Sequence, residues 1–470
     1  MILGTIIGLA SSLLPVKILF GAIAGIALFI FIYSNLKIGI YVFLALNLTI
    51  PQAGPGFGSV QMAGVGERGF HFNLHEIVLA MVLIAWIMHL ITKKATWRTR
   101  SPMIVPVILY VLTSILACFI GLVHGSDPLV MIYRFVRTVA FVYVFFLVIN
   151  IIKSREDCQK LILIILICTT LVAGFGLVQR TMGQAWSERF AERVLKKMGF
   201  PGEVNYVAGG AGEYQAFRVN STFAHPNILG GYLILALPFF VSLLWYYKRR
   251  WIRLLLLLGL TINLSCLFFT GSRAAWIAGG FIAVIYGVLG LLDRRMILAL
   301  ATLLLVILLL IVIIKPPEFV KQRTISLSAK EATRDRMHQY KQAVDLFMEY
   351  PFFGLGMGME GQRIIRGNIR YTWAAVENAF LTYLVSHGVI GLAAFLLLFF
   401  VFWVMLGIAR NNARGDPFIY YNSEALVLGL LGLAICNVFG AWLLFAIPMV
   451  TLFWFFLGMG SSLYNINRGE

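Results

Sequence analysis

The stretch Arg334-Asp-Arg-Met-His-Gln-Tyr-Lys-Gln-Ala-Val-Asp-Leu-Phe-Met-Glu-Tyr350 lies inside a polar, charge-rich segment, Lys315 to Glu377, and its reading decides the rest of the chain. The segment sits between a leucine-rich run, Met296 to Ile314, and an apolar run of roughly 30 residues from Asn378, each long enough to cross a bilayer. Its polarity requires water, so it is an extramembrane loop. Its patterning makes it more than a linker. The quoted stretch predicts a helix, stopped by Pro351, which has no amide hydrogen to continue it. Arg336, Tyr340, Ala343 and Phe347 are spaced by four, three and four, which puts them on one face. One arginine thus lies on the apolar stripe, while Arg334 falls with His338 and Lys341 on the wetter side. An inward guanidinium is costly unless it meets an anion, so Arg336 is the first candidate for a ligand-binding residue. A structural ion pair with a nearby carboxylate is the alternative.

Composition extends this to the whole chain. With 470 residues, 60% hydrophobic, 12% charged and a mean hydropathy of +0.89, the expectation is an all-α, polytopic transmembrane bundle rather than a soluble protein. Apolar runs at about 2–14, 16–33, 36–50, 74–92, 102–123, 130–152, 158–179, 227–247, 251–270, 274–292, 295–314, 377–408, 422–439 and 442–463 give about 12 to 14 membrane helices. The N-terminal run lacks a small-residue cleavage site and reads as a retained helix. The division that follows is membrane helices over 1–179, a first outer loop over 180–226, core helices over 227–314, a second outer loop over 315–376 and C-terminal helices over 377–470. The net charge of +18 does not imply a nucleic-acid partner, because cytoplasmic loops of membrane proteins are enriched in Lys and Arg. Lys93-Lys94, Arg98, Arg100, Lys153, Arg155, Lys248-Arg249-Arg250, Asp293-flanked Arg294-Arg295, Arg410 and Arg414 fall on one side, which is expected to be the cytoplasm, with both termini there. Both long loops then share the outer face. They too are basic, which calls for an anionic partner outside. Five scattered cysteines without a CxxC pair indicate neither a disulfide framework nor a metal site.

Several loop motifs carry further candidates. In the first loop, Trp186, Phe190, Val194 and Met198 recur every four residues beside Lys196-Lys197, the pattern of a helix on the membrane surface, either guiding a lipid-linked substrate or roofing the bundle. Arg218-Val-Asn-Ser-Thr-Phe-Ala-His-Pro-Asn227 leads into a membrane helix; capping explains His225 to Asn227, but not Arg218 beside a helix N-terminus that attracts anions. Thr270-Gly-Ser-Arg-Ala-Ala-Trp276 joins two apolar helices. Its glycine suits a tight turn, whereas Arg273 at a membrane boundary is either functional or snorkels to headgroups. Arg134 and Arg137, near the outer end of their helix, either line a cavity or stabilise packing.

Taken in order, Ser221-Thr-Phe-Ala-His-Pro-Asn227, Gly271-Ser-Arg-Ala-Ala-Trp276, Arg336 with Tyr340 and Ala343, Tyr350-Pro-Phe-Phe-Gly-Leu-Gly356 with its turn ending at Gly358, Asn378-Ala-Phe-Leu381 and Gly388-Val-Ile-Gly391 resemble the O-antigen ligase and polymerase superfamily of bacterial inner-membrane glycosyltransferases. The resemblance covers about Arg218 to Phe395. It implies transfer of a glycan from an undecaprenyl-diphosphate carrier to an acceptor hydroxyl, on a glycan or a lipid, at the periplasmic face. It also implies inversion and no metal or other cofactor, with Arg273 and Arg336 holding the diphosphate. The residues agree independently: a departing diphosphate needs its charge neutralised, and the outer loops offer guanidinium groups without an Asp-x-Asp pair. Arg218, Arg334, Arg134 and Arg137 are further candidates for the diphosphate, and His225, Asn227, His338, Tyr340 and Asn378 for other parts of the substrates. One position departs from the ligases. They carry a histidine, assigned to acceptor activation, where this chain has Glu377; glutamate can take a proton from a hydroxyl, or it can simply favour the start of its helix. The change tilts the expectation toward a polymerase or a ligase with another acceptor. A secondary transporter or lipid-linked glycan flippase is the alternative, but it predicts midplane charges and repeated halves, neither of which the sequence displays.

Overall fold

A computed structural model of the chain describes residues 16–49, 74–94, 97, 100–190, 192–193, 217–290, 330–359, 363–366, 369–372, 376–413 and 415–469. The helices, in chain order, are α1 (Val16–Ser34), α2 (Leu36–Thr49), α3 (Leu74–Ile91), α4 (Ile104–Val123), α5 (Pro128–Ile151), α6 (Arg155–Met182), α7 (Gln184–Phe190), α8 (Pro226–Tyr246), α9 (Arg250–Phe269), α10 (Arg273–Gly290), α11 (Lys330–Glu349), α12 (Ala379–Asn412), α13 (Pro417–Val438), α14 (Trp442–Phe445) and α15 (Ile447–Asn467). Among the described residues eight of them are long and apolar enough to cross a membrane, and four shorter apolar helices accompany them. This is a polytopic helical membrane bundle. The expected runs 2–14 and 295–314 lie outside the described residues.

Local chemistry sets the helix ends. Ser154 accepts from the Asp157 amide to cap α6, Asp416 accepts from the Phe418 amide to cap α13, and Pro226 and Pro417 occupy first-turn positions where a missing amide hydrogen costs nothing. Helices α8 and α15 are the bundle's interior: 89% of the apolar window of each is buried, against 39% for α4, so both are ringed by protein while α4 leaves one side to lipid. Gly230 of α8 lets α10 come close, since a Cβ there would stand 2.9 Å from that of Ala275. Helices α4, α6, α9 and α13 finish, and α5, α8, α10 and α12 begin, at one end of the bundle, here called the top; the α6 and α13 starts and the α8 end meet at the other, the bottom.

Three features differ from the sequence expectation. The second long loop is not purely helical: Arg363–Arg366 and Ile369–Thr372 form an antiparallel hairpin in which Arg363 faces Thr372 and Arg366 faces Ile369. Its β-branched residues and the Gly367-Asn368 connection favour this. The last apolar run, expected over 442–463, is divided into α14 and α15, with Pro448 in the first turn of α15. The run expected over 377–408 is broken at Gly388, whose φ of 68° and ψ of −173° suit glycine almost exclusively.

That break is filled by distant chain. The amides of Leu355 and Gly356 donate to the carbonyls of Val385 and Ser386, at 2.8 and 3.1 Å, while the amides of Val389 and Ile390 donate to those of Pro351 and Phe352, at 2.9 and 3.3 Å. Groups that lost their helical partners thus regain partners from one strap, residues 351–358, as backbone polar groups kept from water require. The strap's other side meets α4: the Met357 amide donates to Ala117 O at 2.8 Å, and His124 Nδ1 lies 2.7 Å from Leu355 O. A Cβ on Gly356 would lie 2.2 Å from the Gly121 nitrogen, and one on Gly388 would lie 2.2 Å from Phe352 O. Glycine is therefore required on both sides of the crossing.

Candidate functional site

Helix α11 starts earlier than the quoted stretch and ends one residue before Tyr350, as Pro351 dictates. Ala343 and Leu346 are buried with Leu355, Val376 and Val385, and Tyr340, Phe347 and Leu381 pack around them. This small core seats α11 on the first turns of α12. The arginine on its inner edge, Arg336, then reaches the chain just before α12, where Nη2 pairs with Glu377 Oε2. Both side chains stay accessible, 36% and 50% exposed, so water or a ligand competes for the pair.

Asn378, rather than Glu377, caps α12: its Oδ1 accepts from the Leu381 amide at 3.0 Å. Glu377 is left outside the helix, held by Arg336. The adjoining Ala379 amide donates to Gly440 O at 2.9 Å, which fixes this corner against the chain between α13 and α14.

Arg273 enters from a third direction. Gly271, with φ of 59°, makes the turn between α9 and α10, and Arg273 is the first residue of α10. Its side chain is exposed and lies within electrostatic range of both Arg336 and Glu377. No hydrogen bond of its own is made among the described residues. A second guanidinium group, from α10, therefore stands within electrostatic range of the Arg336–Glu377 pair, with only Arg336 paired to the carboxylate among the described residues.

Arg218 lies behind this group in a different role. Only 4% exposed, it donates from Nε to Thr270 O at 2.7 Å and from Nη2 to Asn227 Oδ1 at 2.5 Å. It thereby ties the loop before α8, the α8 N-terminus and the turn that carries Arg273. The loop itself is buried, and Ser221, at the left-handed φ of 52°, is held on three sides. Its amide and carbonyl meet the Gln179 amide group at 2.8 and 3.2 Å, and its Oγ donates to Val172 O at 2.6 Å. His225 Nδ1 accepts from the Asn227 amide at 3.1 Å, and its ring stacks on Trp442 with centroids 5.4 Å apart.

The other candidates are placed apart from this group or in supporting contacts. Arg137 pairs with Glu76 at 2.9 Å, which makes it a link between α5 and α3 rather than a surplus cation; Arg134 is one turn away on α5. His338 is on the exposed face of α11, 3.2 Å from Gln342 Nε2, and Tyr340 belongs to the small core. Arg334 falls within α11, but its side chain is outside the described residues, as are Val194, Met198 and residues 202–212 of the first loop. Trp186 and Phe190 of α7 stack on each other and turn toward Phe175 of α6.

Sequence reasoning passed over Gln179, Arg180 and Trp442. Arg180 donates to Phe217 O at 3.3 Å and lies over the Phe269 ring, 5.0 Å from its centroid. The polar pair Gln179-Arg180 at the end of a long apolar run was a usable signal. Nothing distinguishes Trp442 among ten tryptophans until the fold sets it against His225.

No curated protein matches the chain. Residues 258–396, which contain Arg273, Arg336, Glu377, the strap and the break in α12, match the family model described as O-antigen ligase. The match makes this part of the chain similar to the O-antigen ligase family and supports a lipid-linked glycan transferase-like function, and the helices make the chain a multi-pass membrane protein.

Proposed function

We propose that the chain moves a glycan from an undecaprenyl-diphosphate carrier to an acceptor hydroxyl at the periplasmic face of the bacterial inner membrane, with inversion at the anomeric carbon and without a metal. The observation that carries this reading is the nearness of Arg273 to the Arg336–Glu377 ion pair at an accessible corner of the bundle. In this reading the diphosphate takes the place that the carboxylate holds on Arg336, and the two guanidinium groups neutralise charge as the sugar–phosphate bond breaks. Glu377, released from Arg336, accepts the acceptor hydroxyl's proton as oxygen attacks the anomeric carbon. The bond between that carbon and the diphosphate oxygen breaks from the opposite side, and the electron pair leaves with the carrier. Arg218 keeps the Arg273 turn in place. His225, Asn227 and Trp442 line the adjoining edge, with Trp442 offering a flat apolar face to a sugar ring.

Orientation supports the same reading. Lys93-Lys94, Arg100, Lys153, Arg155, Lys248-Arg249-Arg250 and Arg410 gather at the bottom of the bundle, which the positive-inside bias assigns to the cytoplasm. The top, with the arginine group, then faces the periplasm. The replacement of the ligases' histidine by Glu377 favours a polysaccharide polymerase, or a ligase whose acceptor is not the lipid A core.

The test is transfer by the purified protein in vesicles, with a lipid-linked repeat alone and then with a separate acceptor. Arg273→Ala and Arg336→Ala are each expected to lower turnover by about 10²–10³-fold while the protein still inserts and elutes as the wild type does. Wild-type turnover in either variant overturns the assignment. Elongation from the lipid-linked repeat alone identifies a polymerase; a requirement for the added acceptor identifies a ligase.

A further inference from the structure

Helix α11 carries three kinds of surface. At 100° per residue, the buried Ala343 and Leu346 define the side seated on α12, while Met337, Val344 and Met348 share a second side and are exposed, Met348 by 71%. Lys341 comes next around the helix, followed by Asp345 and His338 on a polar third side. A helix lying in water above a bundle has no use for the second kind, and an apolar strip beside a packed face and a polar face is the pattern of a helix at a membrane interface.

The strip does not stop at the end of α11. Phe352, 65% exposed, follows Met348, and its carbonyl accepts from Ile390 of α12; Val389 and Ile390 are themselves exposed. From there the exposed ridge runs down α12 through Leu396, Phe400, Val404 and Ile408. Val389 to Ile408 spans about 30 Å of helix, the thickness of a bilayer's hydrocarbon core. Val389 and Phe352 therefore mark one hydrocarbon boundary, and the apolar side of α11 ends at Met348, four residues before Phe352 in the chain.

We infer that α11 is a membrane-interface helix: Met337, Val344 and Met348 contact acyl chains, Lys341 reaches the headgroup phosphates, and Asp345 and His338 face water. Arg336 lies at the margin between the seated side and the lipid side, so its guanidinium stands at headgroup level. The inference concerns lipid contact and holds whatever chemistry the site performs.

The test places the photoreactive residue p-benzoylphenylalanine singly at Val344, Met348, His338, Asp345 and Phe400 of the full chain, in vesicles of phosphatidylethanolamine and phosphatidylglycerol. After illumination, lipid adducts are measured by mass spectrometry in variants that elute as the wild type does. Adduct yields at Val344 and Met348 comparable with that at Phe400, and severalfold above those at His338 and Asp345, are expected. Equal yields at all four α11 positions, crosslinks from Val344 and Met348 to a second copy of the chain, or no adduct there while Phe400 reacts, would each overturn the inference. Because the readout is independent of turnover, loss of the transferase reading leaves this result standing.

Discussion

At the bottom of the bundle the described ion pairs match one cation to one carboxylate: Lys37 with Asp157 at 2.8 Å, Arg155 with Asp416 at 3.0 Å and Arg410 with Glu424 at 3.1 Å. The first two join helices distant in sequence, and the third ties α12 to the helix that follows it. At the top, Arg273 stands within electrostatic range of the Arg336–Glu377 pair, two cations near one carboxylate, a formal surplus of one positive charge. A matched pair has its counterion built in and ties the fold. A surplus at an accessible corner has to find its anion elsewhere. Arg137 and Glu76 show that position alone does not decide which rule applies, since that pair is balanced although α5 begins at the top.

The contrast can be broken at either end. At the top, Glu377→Gln removes the proposed base but leaves the charge surplus larger. Turnover is expected to fall by about 10²-fold or more, while affinity for a polyprenyl diphosphate holds or rises because Arg336 loses its competitor. Unchanged turnover would reduce Glu377 to an ion-pair partner. At the bottom, Arg410→Ala strands Glu424, whose side chain is only 6% exposed. Loss of about 3 kcal/mol of stability is expected, seen as a lower thermal midpoint in detergent, with turnover per folded molecule unchanged. Replacing Glu424 by Gln in the same variant should restore most of the midpoint; failure to do so would mean that Arg410 acts through another contact, such as the hydrogen bond its Nη2 donates to the Tyr420 hydroxyl at 2.7 Å.

Much of this is legible in the sequence. The face carrying Arg336 and Ala343 and the stop at Pro351 are encoded within two or three helical turns, where spacing is enough. The turn at Gly271 is equally local. The break in α12 was hidden, because Gly388 lies in an unbroken apolar run and the groups that make the break tolerable, Pro351 to Gly356, arrive from more than thirty residues away. The roles of Arg218 and Arg273 could not be separated for a similar reason. Each is an arginine beside a helix start, and only the meeting of Thr270 and Asn227 around one guanidinium reveals which is committed to the fold. The hairpin has its signal in Gly367-Asn368 between β-branched residues, two short runs beside the longer helical period of Arg334 to Tyr350.

The measurement closest to the central claim is equilibrium binding of undecaprenyl diphosphate, compared with undecaprenyl monophosphate, to the purified protein in lipid nanodiscs. The wild type should prefer the diphosphate, and Arg273→Ala and Arg336→Ala should each weaken it by about tenfold or more, while Arg410→Ala binds as the wild type does. Equal affinity across all four proteins, or no preference between the two carriers, would contradict a diphosphate held by this pair of arginines.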